Sequence, residues 1–312
     1  MSSHRAFTLI ELLVVIAVLA LLIGILIPGL SKSNRLAKGT VSLNNLRSLN
    51  QLCFSYSQEN KEQLFNPFEP TPTWRSVWVP GSNKTMQWIF SDGNRSTEMF
   101  AAHWASLMMH WNDSSAAGLT SAVQFAPLDK SVLIRFKNFM NTYKDLERYI
   151  WDGSYFMSPT MWFRSSRYDT ASLVPAVQSL VRRNTFAEIT FPHAKAMIFE
   201  RFDFSKVTRP SAVGSLPLSP TFCATTAQPQ VVFSDNSAGP VKIEDLVLLS
   251  ASDTPKTKEQ FTPSGLWDIT QATLTKYDMG KDELENGAND SNMYPAWFWA
   301  TRFGIKGRDI NR

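Results

Sequence analysis

One carboxylate, Glu11, lies near the start of an apolar segment at the N-terminus. Residues 12–27 contain no polar side chain, and the apolar stretch as a whole covers residues 7–30. A carboxylate at the centre of a bilayer costs about 2.5–3.5 kcal/mol on insertion scales, so an acid inside such a segment is interpreted as functional by default. Glu11 is therefore the first candidate for chemistry in this sequence.

The chemistry that suits Glu11 is charge neutralisation by an amine. If the chain were cut before Phe7, the new terminal amine would lie one helical turn from Glu11 and on the same helix face. The positive amine and the negative carboxylate could neutralise each other within one chain or between adjacent chains. The N-terminus of a helix also favours a nearby negative charge.

Two histidines form a weaker candidate site. His103 and His110 are seven residues apart on one face of a predicted helix, and they could be two ligands of a metal ion. Neither has an obvious third ligand nearby in sequence. We therefore favour packed or surface histidines beside Trp104 and Trp111.

The acidic segment 278–290 and the two cysteines also favour structural interpretations. The acidic spacing is not that of an EF-hand, so we favour a solvated loop over a calcium site. Cys53 and Cys223 are too far apart for a metal knuckle, and two buried free thiols are favoured over a disulfide. The sequence contains no serine-hydrolase, P-loop or zinc-protease motif. We predict no catalytic, cofactor-binding or metal-binding residues.

The segment that positions Glu11 is long enough to cross a membrane. At 1.5 Å per residue, residues 7–30 span about 36 Å, compared with about 30 Å for a hydrocarbon core. A cleaved secretory signal fits poorly, because its apolar region should be only about 7–15 residues long. A plain single-pass anchor fits the length but gives Glu11 no role.

Beyond the apolar segment the chain still has helical periodicity. We predict one long helix from Phe7 to about Asn60; a helix broken at Pro28-Gly29 remains the alternative. Its outer half would pack an apolar stripe on the C-terminal domain. The apolar stripe consists of Leu36, Leu43, Leu46, Leu49, Leu52, Cys53 and Tyr56. The opposite, polar stripe consists of Lys32, Asn34, Arg35, Lys38, Asn45, Arg47 and Asn50.

The run Arg5-Ala6-Phe7-Thr8-Leu9-Ile10-Glu11-Leu12 before an apolar helix resembles the N-terminus of type IV pilins and type II secretion pseudopilins. In that family a membrane peptidase cuts immediately before the Phe and methylates the new amine. The resemblance implies cleavage between Ala6 and Phe7, with Phe7 as the methylated N-terminus. It implies that Glu11 pairs with the amine of a neighbouring subunit during assembly, and that Pro28 kinks the helix. The family usually has Gly before the cut, where this chain has Ala6.

The resemblance also implies partners and a location. The partners are a prepilin peptidase, identical or related pilin-like subunits, the inner-membrane assembly machinery and the lipid bilayer. The chain is expected to cross the bacterial inner membrane once, with its C-terminal domain in the periplasm or in a filament. Counting Lys32, Arg35 and Lys38 against Arg5 would place that domain inside instead. We follow the resemblance, because its motif is more specific.

Helices and a few strands without βαβ regularity predict an α+β fold with an antiparallel sheet. This agrees with the architecture of pilins, in which a long N-terminal helix packs on a head. The predicted divisions are a leader (1–6), a transmembrane half-helix (7–30), an amphipathic half-helix (31–62) and an exported head (63–312). Local patterns in the head predict helices over 96–111 and 136–151, a strand over 194–200, and a hairpin with strands Val231–Phe233 and Val241–Ile243.

Two further segments resemble a subgroup of pilin-like proteins abundant in Planctomycetes and Lentisphaerae. One is Asn44-Asn45-Leu46 in the outer half-helix, and the other is the strand and turn over 230–236. In the second segment Asn236 stands where the subgroup has Gly, and Asn tolerates the left-handed backbone that such a turn requires.

Composition limits the remaining functions. The net charge is only +4 and no run of five basic residues occurs, so no nucleic-acid partner is expected. We predict a non-catalytic pilin-like or pseudopilin subunit that is assembled into a type IV pilus or type II secretion-type filament. The alternative is a membrane anchor for an exported head that binds a ligand, such as a carbohydrate, or acts as an enzyme.

Overall fold

One helix, α1 (Leu9–Glu59), forms the N-terminal part of the computed structural model. The predicted long helix is therefore confirmed; it is continuous through Pro28, and the alternative break at Pro28-Gly29 does not occur. Its 51 residues give a length of about 75 Å. The described residues are 9–66, 76–78, 85–87, 100–113, 115–142, 148–168, 180–206, 209–210, 217–218, 220–222, 224–250, 273–275, 293–295 and 297–310.

The head contains a four-stranded antiparallel sheet in the order β3-β4-β7-β8. This confirms the α+β fold with an antiparallel sheet. The central strands are almost entirely buried because α1 covers one part of the sheet and aromatic side chains cover the rest. The strands are β1 (Ser76–Trp78), β2 (Thr85–Gln87), β3 (Tyr155–Met157), β4 (Ala196–Glu200), β5 (Arg209–Pro210), β6 (Pro217–Leu218), β7 (Gln230–Phe233), β8 (Ala238–Pro240), β9 (Thr273–Thr275) and β10 (Met293–Pro295).

Among the described residues, four shorter helices accompany the sheet: α2 (Phe100–Asn112), α3 (Ala116–Leu119), α4 (Lys130–Thr142) and α5 (Ile243–Ser250). Helix α2 agrees with the predicted helix over 96–111, of which residues 96–99 lie outside the described part. It packs on β3 and donates a hydrogen bond from Trp104 Nε1 to the carbonyl of Tyr155 (3.0 Å).

The prediction of a helix over 136–151 is wrong at both ends. Helix α4 begins at Lys130, because the Asp129 carboxylate accepts a hydrogen bond from the backbone N–H of Val132 (3.1 Å), as an N-cap residue does. Ile150 and Trp151 lie outside it, and the indole of Trp151 donates to Gln124 in the core (3.0 Å). The capping hydrogen bond at Asp129, which apolar spacing does not reveal, sets the start of the helix.

The predicted hairpin is correct in its first strand and wrong in its second. Strand β8 is Ala238–Pro240 rather than Val241–Ile243, and Ile243 instead begins α5. The turn decides the register, because Asp235 accepts a hydrogen bond from the backbone N–H of Ser237 (2.9 Å) and Asn236 adopts the left-handed conformation with φ of 67°.

The C-terminal residues 297–310 return to the start of the central strand β4. The carboxylate of Asp309 accepts hydrogen bonds from the backbone N–H of Ala196 (2.9 Å) and from the ammonium of Lys195 (3.1 Å). Trp297 and Trp299 are buried close by. The C-terminal residues therefore complete the core of the head.

Candidate functional site: helix α1 and its contact with the head

The first half of α1 exposes all of its large apolar side chains. From Leu9 to Leu30 their exposed fractions lie between 47% and 81%. This segment is long and apolar enough to cross a membrane. Glu11 lies on this half, in the first turn of the described helix, whereas Ala6 and Phe7 lie outside the described residues.

Pro28 lies about 25 Å along the helix axis from Glu11. Glu11 and Pro28 therefore lie on the same helix but are too far apart to form a common site. Pro28 removes one backbone hydrogen bond without ending the helix. A kink at this position stays a prediction.

The second half of α1 packs against the head through a mixed face. Leu46, Leu49 and Tyr56 are buried as the periodicity predicts. Two assignments are wrong: Leu36 is 65% exposed, and Asn50, which the pattern places on the polar stripe, is buried. The complete set of buried residues on this helix is Ser42, Leu46, Leu49, Asn50, Cys53, Tyr56 and Ser57.

A buried hydrogen-bonded cluster joins α1 to β3 and β4. Ser42 Oγ donates to Glu200 Oε1 (2.6 Å) and also lies 2.9 Å from Tyr155 Oη. The second carboxyl oxygen of Glu200 accepts the backbone N–H of Gln230 (3.1 Å). Burial raises the pKa of Glu200 from its ordinary value of 4.5 to about 8, so this acid is largely protonated at neutral pH.

Further polar contacts follow the same helix face. The Asn50 side chain donates to the carbonyl of Phe233 and to the Asn236 side chain, both at 3.2 Å. Nearer the apolar half, Gln230 Nε2 donates to the carbonyl of Gly39 (3.0 Å). A Cβ atom at Gly39 would lie 3.3 Å from that nitrogen, so the small residue permits the close approach. The contact with the head is therefore specific in register.

The two candidate histidines, His103 and His110, both have protein partners. His103 Nε2 lies 2.7 Å from Asp152 Oδ1, and His110 Nε2 lies 3.1 Å from the carbonyl of Tyr149. Burial opposes ionisation of Asp152, but His103 together with neighbouring arginines outweighs it and lowers the pKa of that carboxyl. Among the described residues, no group of three or more His, Cys, Asp or Glu side chains could hold a metal ion.

The remaining candidates are only partly described. Cys53 is buried in the helix–head contact, and burial raises the pKa of its thiol. Cys223 and the acidic segment 278–290 lie outside the described residues, so the disulfide and the calcium site stay open alternatives.

Sequence reasoning did not identify Ser42, Glu200 or Gln230 as interface residues. Glu200 and Gln230 lie in strands whose sequences are typical of ordinary core or edge strands. The small residues Gly39 and Ser42, one turn apart on the helix, were the available signal that another backbone or a polar side chain approaches closely.

The N-terminus matches the family model described as "Prokaryotic N-terminal methylation motif" over residues 1–27. The match includes Ala6, Phe7 and Glu11, and it ends one residue before Pro28. No curated protein and no solved structure matches the chain. The chain therefore carries an N-terminal methylation segment of the prepilin kind, and this segment leads into the one helix of the described residues that is long and apolar enough to cross a membrane.

Proposed function

We propose that this chain is a pilin-like or pseudopilin subunit that assembles into a type IV pilus or a type II secretion-type filament. A prepilin peptidase cuts between Ala6 and Phe7 and methylates the new amine of Phe7. Glu11 then neutralises the amine of a neighbouring subunit as the helices pack together. The role is structural rather than catalytic, and the head provides the outer surface of the filament.

One observation carries this proposal. The methylation motif over residues 1–27 leads directly into a helix whose first half, residues 9–30, exposes every large apolar side chain. Such a surface needs either lipid or the helices of other subunits, because water does not solvate it favourably. The membrane supplies lipid before assembly, and a filament supplies the helices of other subunits afterwards.

The location follows from the same proposal. Before assembly the chain spans the inner membrane once, with the head, residues 63–312, in the periplasm. Its partners are the prepilin peptidase, identical or related subunits and the inner-membrane assembly machinery.

The test compares two carboxylates on the same helix. Glu11→Gln removes the charge in the apolar half, and Glu59→Gln removes one at the exposed C-terminal end of α1. Both variants should insert in the membrane. Filament incorporation of Glu11→Gln should fall by about tenfold or more, since a loss of about 1.4 kcal/mol is tenfold in an equilibrium constant. Incorporation of Glu59→Gln should be unchanged.

Equal incorporation of the two variants would contradict the proposal. A chain that stays anchored in the membrane, never enters a filament and binds a carbohydrate through its head would favour the anchored ligand-binding alternative instead. Immunogold labelling of sheared filaments and fractionation of membranes measure the two outcomes separately.

A further inference from the structure

A cavity of about 480 Å³ lies between α1 and the head, close to the end of the apolar half-helix. On the helix it is lined by residues between Lys32 and Leu43, and on the head by residues that include Glu200 and Gln230. The volume falls within the roughly 300–1,000 Å³ of small-molecule sites. This cavity has no role in the proposed assembly.

Three cations from one helix line this cavity: Lys32, Arg35 and Lys38. Two carboxyl groups, Glu200 and Asp203, face them. Burial holds Glu200 largely protonated at neutral pH, with a pKa of about 8, so it adds little negative charge. The cavity therefore has an excess of positive charge.

Asp203 is satisfied within the head. Its carboxylate accepts hydrogen bonds from the backbone N–H groups of Ser205 (3.0 Å) and Gln228 (2.9 Å), and the Lys206 ammonium lies 3.5 Å away. Arg35 is held in place by donating to the carbonyl of Ser205 (3.0 Å). The Asp203 carboxylate is therefore bound within the head, and this one carboxylate does not balance the three cations of the helix.

Gln230, one of the residues that line the cavity, has an unused acceptor. The side chain of Gln230 donates through Nε2 to Gly39, which fixes its amide orientation. Its Oε1 atom is buried and accepts no hydrogen bond within the part of the chain that the structure describes. A buried amide oxygen without a donor is unfavourable, so a ligand with a hydroxyl group would suit this position.

Lys32 and Arg35 lie at the depth of the headgroup layer of a bilayer, and Lys38 lies just beyond that layer. Lys32 lies about 3 Å and Lys38 about 12 Å beyond Leu30, the last residue of the apolar half. Each headgroup layer is about 5–8 Å thick. Side chains on a helix lean toward its N-terminus, which here is the membrane, so all three cations reach toward lipid phosphates.

We propose that this cavity binds the headgroup of an anionic glycerophospholipid. The phosphodiester lies against Lys32, Arg35 and Lys38, and a headgroup hydroxyl donates to Gln230. Apolar lining residues such as Leu36 and Phe204 contact the glycerol backbone. The site would seat the head on the membrane before assembly, and it gives a reason for cations on the exported side of the span. It rests on the membrane-spanning helix of the proposed function but not on filament formation.

The test uses the full-length mature protein and native mass spectrometry from detergent micelles. The probes are phosphatidylglycerol and phosphatidylcholine with identical acyl chains, with inorganic phosphate as a soluble competitor. Lys32→Gln with Lys38→Gln removes two cations and leaves the Arg35 hydrogen bond. Lys130→Gln with Lys137→Gln is the matched control, because both lysines are exposed on α4. Tryptophan fluorescence verifies that each variant is folded.

Phosphatidylglycerol should be retained in preference to phosphatidylcholine. Retention of phosphatidylglycerol by the cavity variant should fall about tenfold to thirtyfold, because each basic residue near a lipid surface contributes about 1 kcal/mol. Retention by the control variant should be unchanged. Equal retention of the two lipids, or an equal loss in both variants, would overturn the proposal. Displacement of lipid by phosphate alone, or a second copy of the chain in place of lipid, would also overturn it. Each result is independent of whether filaments form.

Discussion

The two halves of α1 share one continuous backbone but have different partners. Residues 9–30 present exposed apolar side chains, and none of them belongs to the buried set of α1. Residues 39–57 present a mixed face whose polar groups Ser42 and Asn50 are hydrogen-bonded to the sheet. The second half thus packs on the head of its own chain. The exposed apolar side chains of the first half need lipid or other subunits to cover them.

The difference shows how solvent determines helix composition. In lipid or in a bundle of equivalent helices, a polar side chain without a fixed hydrogen-bond partner gives a helix no stability. Such side chains are therefore rare in the first half. A helix that docks on one particular sheet gains register from them, because a one-turn shift would leave buried donors and acceptors unpaired. Glu11 is the exception in the first half, which is why it is assigned to assembly.

The largest expected effect compares one leucine from each half. Leu49→Ala should lower the free energy of unfolding of the head by about 2–5 kcal/mol, because Leu49 is fully buried in the helix–head contact. Leu19→Ala should leave it unchanged, because Leu19 is 51% exposed. All ten tryptophans lie after residue 63, so denaturant titration followed by tryptophan fluorescence reports on the head alone. Equal effects would abolish the distinction between the halves.

The next effect depends on pH and on Glu200. The unfolded chain releases this proton near the ordinary pKa of 4.5, whereas the folded chain keeps it until about 8. Stability from the protonated acid is therefore complete below pH 4.5 and is lost as the pH rises toward 8. Glu200→Gln mimics the protonated form. Its stability relative to the wild type should increase by about 1 kcal/mol for each pH unit in this window.

Urea titrations of both proteins at three pH values between 4.5 and 8 measure that difference. Parallel curves for the wild type and Glu200→Gln would show that the acid is ionised in the folded protein. The docked half of α1 would then have to hold a buried charge, and Glu200 could not be the neutral partner of Ser42.

A smaller effect is expected at Asn50. Asn50→Ala removes the hydrogen bonds to the carbonyl of Phe233 and to Asn236, and should cost about 1–2 kcal/mol of unfolding free energy. Asn34→Ala, at an exposed position of the same helix, is the control. Thermal unfolding should separate the two variants clearly, and coincident melting curves would remove Asn50 from the docking contact.

The smallest effect is expected in the turn between β7 and β8. Asn236→Gly suits the left-handed φ of 67° but loses the hydrogen bond from Asn50, so its unfolding free energy should change by less than about 1 kcal/mol. Asn236→Val should cost more, because a β-branched side chain is strained at that backbone conformation. A stability of the valine variant equal to that of the wild type would contradict the turn geometry.

The sequence predicted the features that depend on local pattern. The apolar segment, the single acid and the continuous helix follow from residue types and short spacings around Glu11. The antiparallel sheet and the strand predicted over 194–200, which the structure has at Ala196–Glu200, also follow from such patterns. The resemblance at Phe7–Leu12 added the processing chemistry, which no periodicity contains.

The docking face was not predictable because its partners are distant in sequence. Ser42 and Glu200 are 158 residues apart, and Ser42 and Tyr155 are 113 apart. A polar residue on a helix reads as solvent-exposed unless its buried partner is known, which is why Asn50 was placed on the wrong stripe. The start of α4 at Lys130 was missed for a similar reason, since the cap at Asp129 precedes the apolar periodicity.

The role of the first half of α1 depends on processing of the N-terminus, and the mass of the mature N-terminal peptide tests that processing. The chain is produced with a prepilin peptidase, and the N-terminal peptide is sequenced by mass spectrometry, with Ala6→Gly as the variant that restores the usual family residue. We predict loss of Met1–Ala6 and one methyl group on the amine of Phe7 in both proteins. An intact N-terminus in both, with Met1–Ala6 still attached, would contradict the assignment as a pilin-like subunit.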